Sequence, residues 1–383
     1  MNFNRNLRAC ILLLSAGFIV GCGSVAGGRT SASSEQNRVA AQTSDERIAP
    51  YHARFGRTRP VIAIVGENSG TELTDFVIPY GILRQADVGE VVTVATRPGP
   101  MTMRPALRIQ PQASVADFDA RYPDGADYVV VPAVVRRDDP TLLAWIKAQA
   151  AKGSTLVSIC DGALVVAGSG AMDGHRATAH WATADYRRKH YPNIHWVDDR
   201  RYVADGAIVS SAGISASIPA SLALVEAIAG RERAATVAAE IGVSDWNPTH
   251  DSRSFHPKLG RNLSAFATTQ YLNTWFHKPR ALGIPVGAGV DEVALALTAD
   301  AYTRTNRAHA YALGTSLAPV ETRHGLVLLP DRDDGESLDG QVPVPAGKAG
   351  LALDRVLGDI ARSFGWLTAY GVALDLEYPG FHG

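Results

Sequence analysis

Short apolar segments recur between helix-patterned stretches, and this alternation restricts the fold more than any other feature of the chain. Val61-Ile62-Ala63-Ile64-Val65 is continuously apolar, the pattern of a strand covered on both faces. A helix-like stretch over 71–86 follows, then a second strand at 91–95. Residues 128–131, 155–159 and 207–211 have the same strand character. Between them Asp139 caps and Pro140 opens a helix that puts Leu142, Leu143, Ile146 and Ala150 on one face and stops near Gly153. A further helix is expected over 215–229. The alternation predicts an α/β fold, a three-layer parallel sheet with helices on both faces. In such sheets functional groups gather at the carboxyl ends of the strands.

The N-terminus follows a different logic. Arg5 and Arg8 precede an apolar run over 9–20 that ends in Gly21-Cys22-Gly23-Ser24. A charged flank, a short apolar core and small residues before a cysteine match a bacterial lipoprotein signal over 1–22, with Cys22 as cleavage and acylation site. The run is short for a bilayer span of about 20 residues, which favours the signal over an uncleaved anchor or a buried helix. Ile19 stands where leucine is usual. Gly23, rather than aspartate, after the cysteine favours the outer membrane. The expected location is the bacterial cell envelope, lipid-anchored and facing the periplasm. Residues 23–57, rich in Ser, Ala, Gln and charge without apolar period, read as a flexible tether. The 37 basic and 38 acidic residues leave a net charge of −1, so nothing recommends nucleic acid as a partner.

Residues 231–283 are helical and polar, an expected connector. Their histidines, His250, His256 and His277, show no tight ligand spacing and are read as ordinary surface residues, with no metal site. The segment beyond, 284–383, contains an echo. Pro100, Arg104, Leu107 and Pro111 recur as Pro319, Arg323, Leu326 and Pro330, each displaced by 219 positions. This suggests a degenerate, partial second α/β copy, truncated before any equivalent of the cysteine. Such a copy could pack on the first as an intramolecular pseudo-dimer; a homodimer is the other arrangement.

One segment carries chemistry. Leu156-Val157-Ser158-Ile159-Cys160-Asp161-Gly162-Ala163-Leu164 passes from an apolar strand into a small-residue helix start, the arrangement that presents a nucleophile on a sharp turn. Helix N–H groups and the positive end of the dipole there favour thiolate, so a depressed Cys160 pKa is expected. Gly162 leaves room for a ligand to approach the backbone. The bland alternative for Cys160 is a small buried hydrophobe.

The stretch SICDGALVVAGSGAMDGHRATAHW resembles the elbow and following segment of ThiJ/PfpI proteins, class I glutamine amidotransferase-like, nearest the branch of isonitrile hydratase and the amidotransferase-like domains of AraC-type regulators. The resemblance implies a flavodoxin-like domain over 58–230. It implies an acid on the first helix, four residues before a proline: Asp75 in GTELTDFVIPYGIL, with Glu72 as fallback. A protonated acid there would donate to the thiolate, lowering the thiol's pKa and raising its own. The resemblance also places His180 near the thiol as a lower-ranked base, and backbone N–H groups of Ala133, Val134, Asp161 and Gly162 around a ligand. Val131-Pro132-Ala133-Val134 departs from the Gly-Gly many relatives carry, and Asp161 from their threonine or histidine. Two functions follow. One is a cysteine-dependent hydrolase or hydratase for a small carbonyl, amide or isocyanide compound, needing no cofactor; the other is a non-catalytic small-molecule-binding or oxidant-sensing module.

Overall fold

Successive residues of the first strand face opposite ways, as an extended chain requires. Val61, Ala63 and Val65 enter one apolar core, whereas Ile62 and Ile64 enter another on the far side of the sheet. The computed structural model describes residues 46–334 and 337–381. These belong to one compact unit.

The main sheet has seven strands in the spatial order Tyr202–Asp205, Ile208–Ser211, Thr155–Ser158, Tyr128–Val131, Val61–Gly66, Glu90–Ala95, Ala113–Ser114. Every neighbouring pair is parallel except the antiparallel Tyr202–Asp205 and Ile208–Ser211 edge. The expected helices form as Leu73–Ala86, Pro140–Ala151 and Ser217–Ala229. Asp139 accepts the N–H of Leu142 at 3.0 Å, so the cap inferred from Asp-Pro is made by the side chain. The fold is thus a flavodoxin-like α/β layer structure with an additional C-terminal part.

That C-terminal part repeats the opening of the chain in three dimensions. Arg280–Pro285, the helix Glu292–Arg304 and Ala308–Leu313 make a parallel strand–helix–strand unit. A shift of 219 residues carries Val61–Gly66 onto Arg280–Pro285 and the helix start Leu73 onto Glu292. The same shift carries the hairpin starts Met101 and Arg108 onto Val320 and Val327. The expected boundary at 283/284 falls inside the Arg280–Pro285 strand.

The two copies meet through equivalent surfaces. Ile109 pairs antiparallel with Leu328, its own counterpart. In the helices Leu73–Ala86 and Glu292–Arg304, Thr74 donates to Asp300, the counterpart of Gly81, at 2.9 Å. Reciprocally, a Cβ on Gly81 would lie 2.5 Å from Val293, the counterpart of Thr74. Contacts of i with j and of j with i are the signature of a two-fold interface, here within one chain. Leu282, Ile284, Leu295 and Leu297 from the second copy join the core that holds Ile62, Ile64 and Phe76. The second copy therefore covers one face of the first.

A methyl group at position 81 has no space at this seam. Gly81→Val should lower stability by about 1–3 kcal/mol, read as a reduced urea midpoint at constant slope, despite the better helix propensity of most residues over glycine. An unchanged midpoint would mean that the helices are not packed as described.

Candidate active site

The elbow is built by a backbone contact. Ile159 donates its N–H to the carbonyl of Val131 at 3.0 Å, tying the two central strands at their carboxyl ends. The chain then turns through Cys160 at φ 56°, a left-handed conformation that costs a β-carbon residue energy and persists only where the surroundings enforce it. Gly162 is part of that enforcement. A Cβ there would sit 1.9 Å from the Val131 carbonyl oxygen, so only glycine lets the helix Gly162–Gly168 start against this strand. The room expected for a ligand is filled by protein backbone.

Cys160 is 6% exposed and is not in a disulfide. Its N–H points to Ser211 Oγ at 3.3 Å. The N–H groups expected to favour thiolate are already used, Gly162 donating to Ile159 at 2.8 Å and Ala163 to Cys160 at 3.3 Å. Burial pushes the thiol well above its ordinary value, and Asp75, Asp161, Glu72 and Glu377 push it the same way. This corrects the expected depressed pKa. The short helix offers its dipole, but desolvation among carboxylates outweighs it.

Asp75 is fully buried one turn into the helix Leu73–Ala86. Its Oδ2 accepts the N–H of Ala133 at 3.1 Å, while its Oδ1 makes no hydrogen bond among the described residues, to the Cys160 sulfur or to any other group. Burial raises its pKa well above the carboxylate range, with Asp300 and Asp161 adding; the Ala133 N–H and Arg304 oppose. The expected acid pushes the thiol up, but it makes no hydrogen bond to the sulfur and holds the N–H of Ala133 that was assigned to an oxyanion. Val134 lies in a bridge in which Glu72 donates to the Ala133 carbonyl at 2.8 Å and Val135 to Gly70 at 2.8 Å.

Glu72 is not free to replace Asp75. Arg304, from the second copy, reaches Glu72 and Asp300 at 2.5 Å and Asp375 at 2.6 Å. One guanidinium cannot neutralise three carboxylates and Asp75 besides, so the cluster retains a proton. Glu72 is also pushed up by burial, with Asp300 and Asp75 adding and Arg304 opposing. Asp75, which has no ion-pair partner among the described residues, is where we place the proton.

His180 is held rather than poised. Its Nδ1 accepts the Ala182 N–H at 3.2 Å, which leaves the hydrogen on Nε2, donated to the Asp375 carbonyl at 3.0 Å. Asp161 accepts from Thr183 at 2.7 Å, and burial raises its pKa while His180, Thr183 and Arg187 oppose. His250 departs from the surface role expected of it. Its side chain is 4% exposed and its Nε2 lies 2.9 Å from Glu377, a buried carboxylate held low by His250 and His180 against burial. The His256 ring packs at a tilt against Trp181, and His277 is exposed as expected. Arg304, Asp300, Asp375, Glu377 and Ser211 were not legible beforehand. The 219-residue shift pointed only to the helix that carries Arg304 and Asp300.

Residues 61–227 match the model of the DJ-1/PfpI family. Over 168 residues the chain is 29% identical to isonitrile hydratase of Pseudomonas putida, covering 43% of this chain and 70% of that protein. It is 32% identical over 117 residues to the HTH-type transcriptional regulator CdhR of Pseudomonas aeruginosa, covering 30% of this chain and only 34% of the regulator. The crystal structure of Drosophila melanogaster DJ-1beta aligns over 49% of this chain and all of its own, at 22% identity and a TM-score of 0.44.

A protonated Asp75 fixes the sign of a pH effect. Its folded pKa lies above the unfolded value, so its favourable contribution is complete in acid and is lost as pH rises out of the carboxylate range. Asp75→Asn mimics the protonated acid. It should gain stability over wild type between acid and neutral pH, measured by denaturant titration at several pH values. A gap that shrinks as pH rises would place a carboxylate there.

Proposed function

Because residues 61–227 are a DJ-1/PfpI family domain, we propose that Cys160 and Asp75 form a cysteine-dependent hydrolase or hydratase site for a small uncharged carbonyl, amide or isocyanide compound. The observation that carries this reading is the pairing of a strained elbow cysteine with a buried acid whose Oδ1 has no partner. Backbone strain of this kind is retained where function requires it. Uncharged substrates suit a site surrounded by acids, which would repel an anion.

With a neutral thiol, bond formation and proton transfer are coupled. The Cys160 sulfur forms a bond to the electrophilic carbon while the substrate's multiple bond to that carbon opens. The thiol proton passes to Asp75, and the proton Asp75 already carries passes to the substrate, so the acid ends as it began. For an amide the C–N bond then breaks, the amine leaving with the adduct's hydroxyl proton relayed by Asp75, to give a thioester. Water attacks the same carbon, the C–S bond breaks to release the product, and the proton from water restores the S–H bond. Asp75 thus replaces the oxyanion N–H that it occupies at Ala133.

A second reading, a non-catalytic small-molecule-binding or oxidant-sensing module, is favoured by the burial of Cys160 and by the engagement of Ala133 and His180. Turnover of a panel of small amides, isocyanides and glyoxals separates the two. The enzyme reading expects at least one compound to be consumed, with Asp75→Asn about 100-fold slower or more and Cys160→Ser at background. If nothing is consumed faster than by Cys160→Ser, binding is the function.

We place the protein in the bacterial envelope, anchored through lipid on Cys22, which lies outside the described residues. Labelled palmitate should enter the wild-type chain and not Cys22→Ser, whose precursor should stay uncleaved. Equal labelling of both would refute the anchor.

A further inference from the structure

The helical stretch over 263–276 has its polarity inside out. Asn262, Thr269 and Asn273 are buried, whereas Leu272 is exposed and Trp275 and Phe276 are 61% and 72% open to solvent. The C-terminal helix Trp366–Asp375 does the same, burying Thr368 and exposing Trp366 and Leu367. The inward polar groups satisfy one another: Asn273 donates to Thr368 Oγ1 at 3.1 Å and to the Thr305 carbonyl at 2.9 Å. Further along, a Cβ on Gly371 would meet Thr269 and the Ala265 carbonyl. The two helices thus run antiparallel, and Trp275 and Phe276 at the end of one share a side of the molecule with Trp366 and Leu367 at the start of the other. Single exposed apolar residues are ordinary, but two adjoining helix ends that turn aromatic rings outward and polar groups inward form a patch that calls for an apolar partner.

The charge around the patch is one-sided. Residues 252–290 and 360–374 contain no Asp or Glu, in a chain that carries 38 of them. Lys258 and Arg261 precede the first helical stretch, Lys278 and Arg280 follow it, and Arg362 precedes the second. Two acids from neighbouring segments face these cations. Asp359 pairs with Arg362, and Asp339 takes the Ala281 N–H at 2.7 Å while its carbonyl accepts from Arg280 at 2.8 Å. Asp375 and Glu377 are engaged by Arg304 and His250. Lys258, Arg261 and Lys278 have no acidic partner among the described residues, so three positive charges border the aromatic patch.

We propose that this face docks on the surface of an anionic phospholipid bilayer, with Leu272, Trp275, Phe276, Trp366 and Leu367 entering the headgroup boundary and the flanking lysines and arginines meeting lipid phosphates. Tryptophan suits that boundary, and basic residues beside an apolar helix face add attraction to anionic lipid. No described helix is long and apolar enough to cross a membrane, so the contact is interfacial. A second copy fits the face poorly, because a two-fold contact would set the same positive charges against each other. Residues 23–45 fit it no better, having no aromatic residue, leucine or isoleucine. The proposal rests on the envelope reading for access to a bilayer. A chain of that length spans at most roughly 80 Å when extended, more than the diameter of about 50 Å expected for a unit of this size, so an anchor on Cys22 permits the contact wherever the tether joins.

Vesicle flotation of the unlipidated chain 23–383, which contains the whole compact unit Asp45–Gly383, tests the face independently of the anchor. Phosphatidylcholine vesicles with and without about 30% phosphatidylglycerol are compared at about 0.1 M salt. Flotation with the anionic vesicles is expected, at least about fivefold stronger than with phosphatidylcholine alone. It should fall at least about tenfold when Trp275→Ala and Phe276→Ala are combined, and about fivefold in Lys278→Gln, with unchanged urea midpoints confirming the fold. No flotation, or equal flotation by the Trp275/Phe276 double variant, would overturn the proposal. So would a dimer in sedimentation velocity that the double variant dissolves, which assigns the face to a second copy, or flotation that appears only in the chain 46–383, which assigns it to the tether. Palmitate labelling tests the anchor on Cys22 and not this face, so failure of one is distinguishable from failure of the other.

Discussion

A single backbone oxygen organises this site. The carbonyl of Val131 accepts from Ile159 and occupies the space a side chain at position 162 would need. It thereby fixes where the elbow helix starts and forces Cys160 into a left-handed turn. The same strand end presents Ala133, whose N–H holds Asp75. Cys160 and Asp75 are thus positioned from one point of the sheet, by contacts that a side-chain substitution at Val131 would leave in place.

The second constraint is electrical and comes from outside residues 61–227. Arg304 and Asp375 enter from the C-terminal part, and Glu377 closes over Gly213 and His180. The acids outnumber the cation, and with burial they push both Asp75 and the Cys160 thiol up. The second copy lies across the helix carrying Glu72 and Asp75. The packing is reciprocal, as Thr74 with Asp300 and Gly81 with Val293 demonstrate. Duplication has therefore done two things: it has covered an apolar face and supplied charge to the edge of the site.

Much of this was legible in the sequence because it depends on local pattern. Continuous apolar runs gave the five central strands, Asp139-Pro140 gave a helix start, and strand–Cys–Gly gave the elbow. The resemblance of GTELTDFVIPYGIL supplied Asp75, and four recurring residues supplied the 219-residue shift. What failed depended on contacts distant in sequence. Helix N–H groups promised a thiolate, but whether they are free depends on the tightness of the turn, and desolvation depends on what covers it. His180 was expected near the thiol, yet it lies past the Arg176–Ala177 strand and its nitrogens are claimed by Ala182 and Asp375, the latter 195 residues away. His250 read as a surface residue because its partner, Glu377, is 127 residues distant.

The central claim is that Cys160 rests as a neutral thiol beside a protonated Asp75. Ultraviolet thiolate absorbance, recorded across pH as the difference between wild type and Cys160→Ser, reads the ionisation directly. The geometry predicts no thiolate signal at neutral pH, and a rise only above the free-thiol pKa of about 8.5. A thiolate signal already complete at neutral pH would contradict it.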